Sequence, residues 1–149
     1  MKKLFKILVV ILVLLAMIST FCACAGKEGE FKIVVIGANS TSEYVLDNTG
    51  EGMTYLVDAF DSLQSDTESG FSYALVGGFL NTVNGYTADA SNNEFWAIYT
   101  DCEIDGLKYY DNSWGTAEYD GVIYGSGLKG VSELPLNGGS TYIIKLSTW

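Results

Sequence analysis

The sequence predicts an α+β domain in which a β-sheet packs on one main helix. Three observations carry this expectation. Leu56, Ala59, Phe60 and Leu63 fall at i, i+3, i+4 and i+7, the spacing of one helical face. Around that stretch lie several short runs rich in β-branched and aromatic residues. Turn dipeptides such as Asn84-Gly85 and Asp105-Gly106 separate those runs, and no internal repeat or long linker interrupts them.

The elements follow in order. Residues 31–37 are apolar and β-branched and read as a first strand. A turn at 39–42 leads to a second strand at 43–47, paired with the first as a hairpin. The helix is expected over 54–65, with Thr54 as N-cap and Asp58 near the positive end of the helix dipole. Residues 65–70, Ser-Asp-Thr-Glu-Ser-Gly, end it. Strands are expected at 71–76 and 79–83, the latter running into Asn84-Gly85. Residues 94–100 make an aromatic strand. Asp105-Gly106 turns the chain into 107–110. Residues 109–115 lack clear periodicity and read as a polar loop carrying aromatics. The glycine-rich stretch 121–130 reads as a loop with a short strand near 122–124. Asn137-Gly138-Gly139 turns into a last strand at 140–146.

Ahead of the domain, Lys2, Lys3 and Lys6 precede twelve residues, 7–18, with no polar side chain. A basic segment before an apolar run of this length is the pattern of a secretory signal. A helix that stays in a bilayer needs about 20 apolar residues. The following Ser19-Thr20-Phe21-Cys22-Ala23-Cys24 resembles the lipobox of bacterial lipoproteins. Cys24, preceded by small Ala23, fits the lipidated position; Cys22 follows bulky Phe21 and fits less well. The expected organisation is a signal peptide at 1–23, a lipidated tether at 24–30 and the domain at 31–149. The diacylglyceryl anchor on Cys24 would hold the protein on the outer face of the cell membrane, since two acyl chains anchor stably where one does not.

Composition narrows the partners. All 18 acidic residues follow Ala23 but only five of the eight lysines do, a net charge of −13 for that part. There is no arginine and no histidine. Phosphate contacts need Lys and Arg, so no nucleic-acid partner is expected. The acidity reads as solubility and avoidance of anionic surfaces. With Cys22 removed and Cys24 lipidated, Cys102 is left without a disulfide partner and reads as a small buried apolar residue. Asp101, Glu103 and Asp105 beside it would disfavour a reactive thiolate.

The same composition gives little to catalysis. Without histidine there is no imidazole base or triad member, and without arginine no guanidinium clamp. The chain is read as non-enzymatic. Carboxylate pairs for glycoside hydrolysis are not excluded by composition, but no pair stands out. Asp101-Cys102-Glu103-Ile104-Asp105-Gly106 imitates the start of a calcium loop, yet position twelve holds Asn112 instead of a bidentate acid.

The order of motifs is itself informative. An early hairpin precedes Gly52-Met53-Thr54-Tyr55-Leu56-Val57-Asp58-Ala59. Then come Phe79-Leu80-Asn81-Thr82-Val83-Asn84-Gly85-Tyr86, Glu94-Phe95-Trp96-Ala97-Ile98-Tyr99, and Gly130-Val131-Ser132-Glu133-Leu134-Pro135-Leu136-Asn137-Gly138-Gly139. This order resembles the DUF4430 family, which is similar to the C-terminal β-domain of transcobalamin and intrinsic factor. Asp101-Cys102-Glu103 stands where that family usually carries Asn-Gly. The resemblance implies a β-grasp-like (ubiquitin-like) mixed sheet packed on the helix. It also implies extracellular ligand binding, with cobalamin or another corrinoid as the candidate ligand for uptake.

Candidate contact residues come from the aromatics. Trp96 shares one side of its strand with Ile98 and Thr100, and reads as core more than as a ligand contact. Tyr109, Tyr110 and Trp114, on their polar segment, are placed to stack on a flat ligand or a sugar, or to fold back on the loop itself. Tyr124 is a weaker version of the same idea. The expected role is a tethered binding domain that captures a small ligand and passes it to a transporter. The alternative is an adhesion or scaffolding module for a protein or cell-envelope partner.

Overall fold

The computed structural model describes residues 26–50 and 52–149. The expected signal peptide, 1–23, and the expected lipidation site, Cys24, lie outside the described residues.

The first hairpin joins β1 (Gly29–Ile36) to β2 (Thr41–Asn48) in unbroken antiparallel register. Helix α1 (Leu56–Ser65) follows and buries Leu56, Ala59, Phe60 and Leu63, the face its spacing predicts. It begins two residues later than expected, and Thr54 is not its cap. The segment around Thr54 is held extended instead: Tyr55 bridges to Pro135, and the Leu136 N–H donates to the Thr54 carbonyl. The helix's first N–H groups find backbone acceptors there. Leu56 donates to Leu134 and Val57 to Val131, both at 2.9 Å. Asp58 reaches back, its carboxylate accepting from the N–H groups of Thr54 and Tyr55 at 2.8 Å.

A small three-stranded sheet comes next: β3 (Tyr73–Val76), β4 (Phe79–Val83) and β5 (Tyr86–Thr87). Asn84 and Gly85, at φ 48° and 77°, make the left-handed pair that the Asn-Gly dipeptide predicts. Then β6 (Glu94–Thr100) crosses the molecule, and β7 (Glu103–Ile104) and β8 (Leu107–Lys108) pair around Asp105-Gly106.

The next stretch differs from expectation. Residues 110–119 form a ten-residue strand, β9 (Tyr110–Tyr119), not a loop. It pairs with β10 (Val122–Gly127), which occupies much of the stretch read as a glycine-rich loop. The pairing jumps from Gly125–Thr116 to Ser126–Asp111, so residues 112–115 bulge from the sheet edge. A side chain at Gly125 would collide with Asn112 and Tyr110, so that glycine is what lets the bulge lie against β10. Finally β11 (Thr141–Thr148) runs through the middle.

The main sheet has the order β2-β1-β11-β6-β10-β9. β1 and β11 are parallel and the remaining pairs antiparallel, so the sheet is mixed. One face carries Phe31, Ile33, Val35, Trp96, Tyr142 and Ile144, packed under α1 with Phe71, Val83 and Leu134. The other face is covered by the tip of the β9–β10 hairpin, where Ala117 and Tyr124 meet Val34 and Ile143. Both core clusters and their flanking apolar residues lie between Phe31 and Leu146. The described residues from Gly26 onward thus carry both of these core clusters.

Cys102 is fully buried, and burial raises the pKa of its thiol. Its Sγ lies 3.5 Å from the Pro135 carbonyl, which also accepts from the Tyr142 hydroxyl at 2.8 Å. That hydroxyl in turn accepts from the Asn137 N–H. Cys102 and Tyr142 thus tie the last turn to the sheet. Among the described residues no helix is long and apolar enough to cross a membrane.

Candidate functional site

An apolar hollow forms where the helix-side core meets the end of the sheet. Its walls come from four stretches of chain. The β3–β4 turn contributes Gly78, Phe79 and Leu80, β6 contributes Phe95, Trp96 and Ile98, and Gly130, Val131 and Trp149 complete it. The groove holds about 490 Å³.

Local sequence explains this shape. Gly77 and Gly78 adopt φ 60° and 84°, a tight hairpin that leaves Val76 and Phe79 projecting from its tip. Phe79 is 80% exposed, unusual for a phenylalanine in a small domain. Trp149 follows β11 and stacks on Phe95, with ring centroids 4.8 Å apart and planes 21° apart, yet it stays 77% exposed. Trp96, only 6% exposed, divides this groove from a smaller hollow beside the β1–β2 turn, lined by Gly37, Ser40, Asn84 and Tyr86. Its Nε1–H is buried and has no hydrogen-bond partner. Tyr86 meets the indole edge-on, and the Tyr86 hydroxyl donates to Glu94 at 2.9 Å. That carboxylate raises the pKa of the Tyr86 hydroxyl, keeping it a donor.

The aromatics singled out from sequence do not converge on one place. Trp96 lines the groove, in keeping with a core residue that has one accessible side. Tyr109 is half-buried against the main core, and its carbonyl accepts from the Leu128 N–H. Tyr110 starts β9 with the Lys108 ammonium 5.7 Å from its ring centroid. Trp114 sits in the edge bulge, 72% exposed. Tyr124 is buried in the second core cluster, where it supports the hairpin tip and cannot stack on a ligand as the chain stands. Phe79 and Trp149 were missed. For Phe79 the signal was Val76-Gly77-Gly78-Phe79, a two-glycine turn with large apolar residues on both sides, whereas nothing local marks Trp149.

The acidic turns are taken up by local bonds. Asp101 accepts from the Thr141 N–H at 2.8 Å. Asp89 accepts from the Ser91 N–H and hydroxyl, which with Asn92 hold its carboxyl below the usual range. Asp111 does the same with Ser113 inside the bulge. Among the described residues no group of three or more His, Cys, Asp or Glu is placed to hold a metal ion.

Fold and groove together define a mixed-sheet α+β domain with an apolar, aromatic-walled hollow at one pole. No family model matches the chain, and no curated protein does. Solved structures do. A protein from Ruminococcus gnavus ATCC 29149, described provisionally as metal binding, is similar over 82% of this chain and 99% of its own, with TM-score 0.51 and 18% identity. At that identity the likeness is one of fold. Haptocorrin in complex with Cbi is similar over 83% of this chain, with TM-score 0.48 and 12% identity. The chain spans about a quarter of haptocorrin's length, 26%.

Proposed function

We propose that this is a non-enzymatic, exported binding domain, anchored through Cys24 at the outer face of the cell membrane, that captures a small ligand in the apolar groove. The groove itself carries the reading. Concave sites walled by aromatic and aliphatic side chains are where small ligands lose most water-exposed surface. The topology supports a β-grasp-like fold of the DUF4430 kind. An initial hairpin leads to helix α1, and the first and last described strands, β1 and β11, lie side by side and parallel. That resemblance makes cobalamin or another corrinoid the first ligand to try. Delivery to a membrane transporter is the natural use of such capture.

The geometry suits a tether. β1 begins at Gly29, beside the start of β11, whereas Phe95, Trp96 and Trp149 lie at the far end of β11. That strand is eight residues long and spans about 26 Å. A chain held at Cys24 would therefore present the groove away from the bilayer.

One observation favours the second reading, an adhesion or scaffolding module for a protein or envelope partner. Trp114 projects from the β9 edge, and Val122 and Ile123 are exposed on the strand beside it.

A thermal-shift and calorimetry screen of residues 26–149 against corrinoids, haem, siderophores and glycans separates the two. A ligand at 100 times its Kd should stabilise the domain by about 2.7 kcal/mol. Capture in the groove requires that Phe79→Ala and Trp149→Ala lose the hit and Trp114→Ala keep it. Loss with Trp114→Ala alone, or silence across the panel, moves the function to the β9 edge.

A further inference from the structure

We infer that the groove selects an uncharged, planar ring system, an inference that rests on the ligand-capture reading above. None of its wall side chains is ionisable: Phe79, Leu80, Phe95, Trp96, Val131 and Trp149 do most of the enclosing. A charged group entering such walls gives up hydration and meets no counter-charge. The surplus of acids elsewhere on the domain adds a repulsive field against anions.

Planarity follows from the aromatic geometry. Trp149 spends one ring face on Phe95 and keeps the rest of its surface in solvent. Phe79 is 80% exposed and has no ring partner among the described residues, so both of its faces are available. Offset stacking on such faces rewards a flat, apolar partner more than a branched aliphatic one. Trp96 adds a third aromatic ring to the same walls. The class is therefore a neutral polycyclic or heteroaromatic ring, alone or as one face of a larger ligand.

The test uses two probes with the same ring pair. N-phenyl-1-naphthylamine is uncharged, and 1-anilinonaphthalene-8-sulfonate adds one negative charge. Both brighten on entering an apolar site. Titrated into residues 26–149, the neutral probe should bind with a Kd about tenfold or more below that of the sulfonate. Phe79→Ala and Trp149→Ala should each weaken it by about tenfold, with thermal midpoints near wild type because both side chains are exposed. Trp114→Phe should leave it unchanged. Equal affinity for the two probes would overturn the charge preference while leaving capture in the groove standing. No binding of either probe would overturn both readings. Binding that survives Phe79→Ala and Trp149→Ala would place the ring site elsewhere and overturn the inference.

Discussion

The two faces of the main sheet are covered by different means. On the helix side, α1, the small β3–β4–β5 sheet and the 130–136 segment bury seventeen of the described residues in one cluster. On the other side, four buried residues lie beneath the tip of a single hairpin. Polar contacts hold that tip in place: the Tyr119 hydroxyl donates to Glu43 at 2.7 Å, and Glu43 pairs with Lys32 at 3.0 Å. The helix side supplies the stability, and its core opens into the groove at one pole. The hairpin side, with the smaller buried cluster, is expected to loosen first.

Substitutions should expose the difference. The largest effect is expected from Phe60→Ala, which empties a fully buried site on the helix side. Comparable truncations cost about 3–5 kcal/mol, a large share of a small domain's stability. Chemical denaturation should show a much lower midpoint. Tyr124→Ala, under the hairpin tip, should cost less, about 2 kcal/mol, and should speed amide exchange at 117–124 ahead of the rest of the sheet. If the Tyr124 change destabilised the domain as much as the Phe60 change, the two faces would be energetically equivalent and the comparison would fail.

The smallest effect concerns the clasp, and it depends on pH. The Tyr119 hydroxyl first, and then Lys32, hold the Glu43 carboxyl below its ordinary value of 4.5. Glu43 in return pushes the Tyr119 phenol up to about 12. A lowered acid stabilises the fold above its ordinary value, and that contribution disappears as pH falls through the lowered one. A raised phenol stabilises below 10 and loses its contribution as pH rises through about 12. The clasp should therefore be complete between those limits. The difference in Tm between wild type and Tyr119→Phe should be small, steady near neutrality and vanishing in acid. A difference that persisted unchanged below the range of Glu43 ionisation would show that the carboxylate does not hold the tip.

The same contrast governs what the sequence made legible. The helix-side elements announce themselves because burial imposes periodicity: Leu56, Ala59, Phe60 and Leu63 for α1, and Glu94–Thr100 for β6. Turns needing left-handed residues were legible too, as Asn84-Gly85 and Asp105-Gly106. The hairpin side was legible only at residues 122–124, the start of β10. β9 carries Asp111, Asn112, Ser113 and Gly115 through its bulge, residues depleted in strands. An edge strand held by backbone pairing to β10 does not need an alternating apolar pattern. The one local clue was Asp120-Gly121, whose φ values of 50° and 74° make a further hairpin turn. Of the candidate site, Trp96 was legible as a core aromatic. Phe79 and Trp149 were not, because their meeting depends on how the β3–β4 turn lies against the end of β6. No local spacing encodes that.

The central claim is that the apolar groove at one pole of the helix-side core, not the β9 edge, is the binding surface. Amide NMR of residues 26–149 with a ligand found in the screen tests it most directly. The account predicts shifts at Gly78, Phe79, Phe95, Trp96, Gly130, Val131 and Trp149, including the Trp96 indole N–H, with 110–115 and 122–124 unmoved. Shifts centred on Trp114 and its bulge, with the groove silent, would contradict it.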